Sequence, residues 1–270
     1  MAVCNLLVQF SLLSQQRNSN QATQNATAIA PFGFCWCVWV GKATTVPEFN
    51  LSVTATHRLF PSVPLAGYSN IANPTRYDMY WTRNSGKQKP WRAKLLALLQ
   101  TPFERTVFLD NDVYLLRRDF VTSMQNIARV SDVAMPIDPV RTAILVPMGC
   151  SCIVNYNINR VRSLFREALE IFDNRSMFKG MRRGDQEAIW LAWTRTTNHD
   201  TTTTSNTTST RFLLLPEEYY CFWHGYRKVW SSAHRSYNCF ALHGHGYTQK
   251  VLSLQDTRNQ PPHLGSNHKA

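Results

Sequence analysis

Residues 34 to 115 alternate between short apolar runs and segments of helical spacing, and no other feature of the chain limits its possible folds as strongly. FCWCVWVG, 34–41, is a continuous apolar and aromatic run closed by a glycine, the pattern of a strand buried on both faces. VPEFNLSVTATHRLF follows with helical spacing and is stopped by Pro61, and VPLAGYS, 63–69, reads as a second strand. The polar stretch NPTRYDMYWTRNSGKQK reads as a loop. PWRAKLLALLQ then opens on a proline, which a helix tolerates at its first position, and carries Leu95, Leu96, Leu98 and Leu99 as its apolar face. TVFLDNDVYL, 106–115, is the next strand. Strand, helix, strand, helix, strand predicts an α/β fold with a mainly parallel, Rossmann-like sheet flanked by helices on both faces.

Further along, VSDVAMPI (130–137), CIVNY (152–156) and RFLLLP (211–216) read as strands, and RVRSLFREALEIF (160–172) and GDQEAIWLAW (184–193) as helices. The 270 residues, 44% of them hydrophobic, suffice for the core of one large domain, expected over 32–255. Residues 1–31, polar and Gln/Asn-rich from 14 onward, read as a tail or stem. The Thr-rich run 196–210 reads as a surface insert, and 256–270 as a C-terminal tail. MAVCNLLVQFSLL is mildly apolar, lacks a basic flank and is shorter than the roughly 20 residues a membrane span needs. It is either the remnant of a signal anchor or ordinary N-terminal sequence, so membrane association is expected only if an anchor is present. Sequons at Asn25, Asn50, Asn174 and Asn206 suit the Golgi or another secretory lumen, with the cytoplasm as the alternative.

The excess of 29 Lys and Arg over 17 Asp and Glu, a net charge of +12, suits an anionic ligand or surface as well as simple solubility. The longest basic clusters are Arg117-Arg118 and Arg182-Arg183, too short for a nucleic-acid block, and no nucleic-acid partner is expected. Seven dispersed cysteines are no disulfide framework. Two C-x-C pairs, Cys35/Cys37 and Cys150/Cys152, raise a four-sulfur zinc site. Buried thiols are favoured over it, because a strand cannot easily wrap two ligands around one ion. Cys221 and Cys239 form one disulfide if the compartment is oxidising.

Asp110 and Asp112 follow the apolar run Val107-Phe108-Leu109, where the chain should leave the carboxyl end of a sheet and where such folds bind ligands. On an extended chain, residues two apart share a side, and two carboxylates brought together repel unless a cation joins them. Mn²⁺ or Mg²⁺ would serve, leaving coordination sites open for phosphate oxygens. An acidic turn neutralised by Arg117 and Arg118 is the plain alternative. VFLDNDV also fits the strand of haloacid-dehalogenase-like phosphatases, with Asp110 as nucleophile, although that strand normally opens its fold.

KPWRAKLLALLQTPFERTVFLDNDVYL, 89–115, resembles the donor-binding segment of GT-A fold nucleotide-diphospho-sugar transferases, glycogenin-like relatives included, whose usual form is a Lys-bearing helix followed by SPFERTLFLDADT. CSCIVNYNINRVRSLF resembles the NTGVxxFR strand and helix of that family, GDQEAIW its D-Q-[DE] helix, and FALHGHGY its HxxG segment, all in the family's order. The resemblance implies a glycosyltransferase, hexosyl- or pentosyl- and retaining, that moves a sugar from a metal-bound nucleotide sugar, UDP-sugar favoured, to a hydroxyl of a glycan or glycoprotein. It implies Asp110, Asp112 and His243 as ligands of Mn²⁺ or Mg²⁺, with His245 as rival to His243; the imidazole favours manganese. Lys94, or Arg92, would reach the donor diphosphate, with Asn111 near the ribose or sugar and Asp185 and Gln186 beside the transferred sugar. Ser151 and Cys152 stand where the family has Thr-Gly, which reshapes the sugar pocket, and Gln249 stands where it has Lys. Read without the resemblance, His243 is a polar loop residue, Lys94 a solvated helix residue and Asp185 a helix N-cap. A transferase fold that binds glycans without turnover is the non-enzymatic alternative.

Overall fold

A computed structural model describes residues 30–39, 45–138, 148–178, 183–199, 210–216, 221–222 and 239–243. In chain order the elements are β1 (Ala30–Val38), α1 (Thr45–Leu59), β2 (Leu65–Ser69), β3 (Tyr80–Arg83), α2 (Pro90–Leu99), β4 (Phe103–Leu109), β5 (Val113–Leu115), α3 (Phe120–Val130), β6 (Val133–Pro136), β7 (Ile153–Asn157), α4 (Ile158–Asp173), a 3₁₀ turn (Arg175–Phe178), α5 (Asp185–His199), β8 (Phe212–Leu215), β9 (Cys221–Phe222) and β10 (Ala241–His243).

Seven strands form one sheet in the order β3-β2-β1-β4-β7-β6-β8, and β5, β10 and β9 form a smaller one. The large sheet is parallel except for β7, which runs antiparallel to β4 and β6. Beyond β6 the antiparallel pairing with the approach to β7 continues, with Ile137 bridging Gly149. Side-chain alternation along the central strands divides the core. Cys35, Phe108 and Val154 point to the layer of α2, α4 and α5, whereas Phe34, Trp36, Leu109 and Ile153 point to that of α1, α3 and the small sheet. Helices therefore cover both faces, as the alternation of elements predicts. Gly67 permits the closest approach within the sheet: a Cβ there would lie 2.1 Å from the Trp81 ring.

The elements differ from expectation in specific places. TVFLDNDVYL is not one strand. β4 ends at Leu109, the Val113 N–H closes a turn onto the Asp110 carbonyl at 3.1 Å, and β5 pairs with β10 in the other sheet. β3 lies inside the supposed loop; its side chains are mostly exposed, so YWTR carries no apolar alternation. α3 went unpredicted although Phe120, Met124 and Ile127 recur at helical spacing and are buried. β1 starts at Ala30, taking the last residues assigned to the tail, and α5 runs to His199, into the Thr-rich run. The rest of the N-terminal tail, residues 200–209 and the C-terminal tail lie outside the described residues. Among the described residues no helix is long and apolar enough to cross a membrane.

Candidate active site at the carboxyl edge of the sheet

The carboxyl ends of β1, β4 and β6 lie along one edge, and because β7 is antiparallel its entry turn lies there too: the Asp110 N–H donates to the Cys152 carbonyl at 2.9 Å. Lys94, in the middle of α2 and only 8% exposed, reaches this edge over the Phe108 ring. Its ammonium lies 2.6 Å from Asp110 Oδ1 and 3.0 Å from Asp185 Oδ2, and donates to Ser151 Oγ at 3.1 Å. Ser151 in turn donates to Asp185 Oδ2 at 2.6 Å. Lys94 is therefore no solvated helix residue.

Asp185 is the first residue of α5, so Gly184 occupies the cap position and the N-cap reading of Asp185 fails: its carboxylate turns to Lys94 and Ser151. Burial alone would push that carboxyl up, but Lys94 and the Ser151 hydroxyl outweigh it and hold it below the usual range. For Asp110 the balance is opposite: burial, with Asp112 and Asp185 nearby, exceeds the pull of Lys94 and holds it above that range. Burial opposes the Lys94 ammonium, yet Asp110 and Asp185 raise its pKa above the usual value.

On the other side of the turn, Asp112 Oδ1 lies 3.3 Å from His243 Nε2 on β10. One donor atom from each of Asp110, Asp112 and His243 falls within 4.8 Å of the others. The two aspartates converge because the turn folds them together, not because they share one side of an extended strand. Burial would lower the His243 pKa, but Asp112 and Cys150 raise it well above the ordinary value. The Cys150 thiol, which burial would push up, is brought down to about 6 by hydrogen bonds from Cys152 and His243.

These residues fit a hard divalent cation. Two carboxylate oxygens and an imidazole nitrogen converge, and the carboxylates of Asp110, Asp112 and Asp185 outnumber the Lys94 ammonium by two charges. Between the aspartates, Asn111 Oδ1 is buried without a hydrogen-bond partner among the described residues, an acceptor left for a ligand hydroxyl.

The remaining predicted residues divide. Gln186 is buried and its amide donates to Asp138 Oδ2 at 2.9 Å. Asp138, just beyond β6, was not predicted; an acidic residue closely following an apolar run was its only signal. Arg92 faces away from Lys94, donating to both Asp173 oxygens at the end of α4. Arg117 pairs with Asp119, so it is engaged outside the Asp110–Asp112 turn. His245 lies outside the described residues. Cys35 and Cys37 join no metal-ligating group of the described residues with Cys150 and Cys152, and burial pushes the Cys35 thiol up to about 12, as a packed thiol requires. Cys239 is disulfide-bonded; the side chain of Cys221, its expected partner, lies outside the described residues.

Neither a protein-family model nor a curated protein sequence matches the chain. Its three-dimensional structure is similar to that of the glycosyltransferase GlyE of Streptococcus pneumoniae TIGR4, with TM-score 0.53 at 9% identity over 85% of this chain, which spans 61% of GlyE. It is also similar to the galactosyltransferase LgtC in complex with donor and acceptor sugar analogs, with TM-score 0.50 at 9% identity, covering 86% of this chain and 98% of LgtC. An active-site mutant of LgtC superposes with TM-score 0.52 at 8% identity, over 84% of this chain and 95% of that one. A mixed seven-stranded sheet, helices on both faces and these likenesses together identify the architecture of the chain as the GT-A fold of nucleotide-sugar transferases.

Proposed function

We propose that the chain is a glycosyltransferase that moves a sugar from a nucleoside-diphosphate sugar, UDP-sugar favoured, to a hydroxyl of a glycan or glycoprotein. The observation that carries the reading is the convergence of Asp110, Asp112 and His243 at the ligand-binding edge of the sheet, beside a buried Lys94 and Asp185. Asp110, Asp112 and His243 would hold Mn²⁺, or Mg²⁺, which when bound offsets the charge developing on the leaving diphosphate. Lys94 supplies a fixed positive charge toward the diphosphate without exposing it to water. Asp185, kept ionised by Lys94 and Ser151, accepts a hydrogen bond from a sugar hydroxyl or steadies positive charge at the anomeric carbon. Gln186, held by Asp138 and next to Asp185 at the head of α5, would contact the transferred sugar, and Asn111 accepts from a ribose or sugar hydroxyl. Retention of the anomeric configuration is taken from the resemblance to glycogenin-like enzymes.

The exposed Asn174 sequon supports a secretory lumen as the location. The one at Asn50 does not, since Ser52 is fully buried within α1. The phosphatase alternative has no support in the structural likenesses.

Calorimetric titration of UDP, and separately GDP, with Mn²⁺ and again with EDTA tests the reading. Metal-dependent binding of one nucleotide is expected, and Asp112→Ala should abolish it. Full manganese-dependent UDP affinity in Asp112→Ala would refute the site. Slow hydrolysis of the donor sugar by the unaltered chain separates an enzyme from a glycan-binding scaffold.

A further inference from the structure

Two thiols at the sheet edge are given no ligating role in the function proposed above. Cys150 and Cys152 flank Ser151 at the entry to β7 and are 6% and 1% exposed. The extended geometry anticipated for CSC does not occur: residues 151 and 152 form a turn, in which the Cys152 N–H donates to Cys150 Sγ at 3.4 Å. The turn brings the two sulfurs toward one point and removes the objection that a strand cannot wrap them around an ion. His243 reaches the same point from β10 and hydrogen-bonds Cys150. One donor atom from each of Cys150, Cys152 and His243 lies within 4.8 Å of the others.

We propose that Cys150, Cys152 and His243 form a second metal site, for a thiophilic divalent cation of the zinc class, and that this site and the Asp110–Asp112 site draw on the same imidazole. Two thiolates and an imidazole are a zinc donor set, whereas manganese and magnesium prefer oxygen. Three protein ligands leave a fourth position open, and binding releases to solvent whatever protons the two thiols and the His243 imidazolium still carry, leaving two thiolates and a neutral imidazole on the ion. A neutral imidazole has a single lone pair, so His243 serves one ion at a time. Zinc on the sulfurs therefore strips the carboxylate site of its nitrogen and antagonises manganese. The antagonism rests on the function proposed above; the cysteine site does not.

Cobalt(II), as a spectroscopic stand-in for zinc, is titrated into the full chain kept reduced with a phosphine, and thiolate-to-metal charge-transfer absorbance is followed. The expected band saturates at stoichiometric cobalt and is displaced by zinc. It is lost in Cys150→Ser and Cys152→Ser but persists in Asp110→Asn and Cys37→Ser. No band from the unaltered protein, or one indifferent to both cysteine substitutions, overturns the site. In parallel, the paramagnetic resonance of free Mn²⁺ should rise when zinc is added to manganese-loaded protein. Manganese retained beside a full thiolate band overturns the shared imidazole. A thiolate band in a protein that never binds manganese supports the cysteine site and refutes the function proposed above.

Discussion

At Lys94, one side chain holds together groups from four segments: its own helix, Asp110 after β4, Ser151 before β7 and Asp185 at the head of α5. Burying an ammonium is costly, and it is compensated here only because two carboxylates share it. Lys94→Met should therefore destabilise the protein by about 3–5 kcal/mol, the usual effect of leaving buried charges unpaired. Urea unfolding measures this, and the double variant Lys94→Met/Asp185→Asn should lose less than Lys94→Met alone, since it removes one orphaned charge. An equal or larger loss in the double variant would show that charge pairing is not what Lys94 contributes. Lys94, Asp110 and Asp112 were legible in sequence because they sit within one contiguous segment, KPWRAKLLALLQTPFERTVFLDNDVYL. Asp138 was not, and Cys150 was singled out only as part of a disfavoured four-sulfur site, because their partners Gln186 and His243 lie more than forty residues away.

Between elements, α1 is tied to both sheets through Ser52. Trp36 Nε1 of β1 donates to Ser52 Oγ at 3.0 Å, and Ser52 Oγ donates to the Val113 carbonyl at the start of β5, at 2.5 Å. The relay fixes β5, and with it the far end of the Asp110–Asp112 turn, against the central sheet. Ser52→Ala leaves a buried indole N–H and a carbonyl without partners and should cost about 1–3 kcal/mol, read as a lower urea midpoint at unchanged m-value. A variant as stable as the parent would remove the relay from the account. The helical period marked α1 correctly, and the apolar run marked β1. The break between β4 and β5 had only Asp110-Asn111-Asp112 as a local signal, because Val113, Tyr114 and Leu115 resume the apolar pattern of β4. β10, which claims them, is drawn from about 125 residues downstream.

At the scale of the molecule, Asp132 joins α4, β6 and β8. Its carboxylate accepts from Arg160 at 3.0 Å and from Arg211 at 3.1 Å, and from the Arg211 backbone N–H at 2.9 Å. Burial would raise its pKa, but the Arg211 bonds outweigh that and lower it from 3.8 to about 2. A carboxyl whose folded pKa is depressed contributes stability that is fully present above its unfolded value and lost as pH falls through the folded one. Stability should therefore decline between about pH 4 and pH 2, and Asp132→Asn should flatten that part of the profile, as thermal unfolding across the range would show; a profile unchanged by the substitution would dismiss the contribution. The sequence by itself determined the fold class of this protein, because strand and helix periods are local and the segment 89–115 that carries the family resemblance is contiguous. It also marked which carboxylates stand at the sheet edge. Only the tertiary structure decided that β7 runs antiparallel, that the two aspartates meet through a turn, and that His243 lies between a carboxylate pair and a thiol pair. Those outcomes depend on contacts between distant segments, whose free energy no local pattern records.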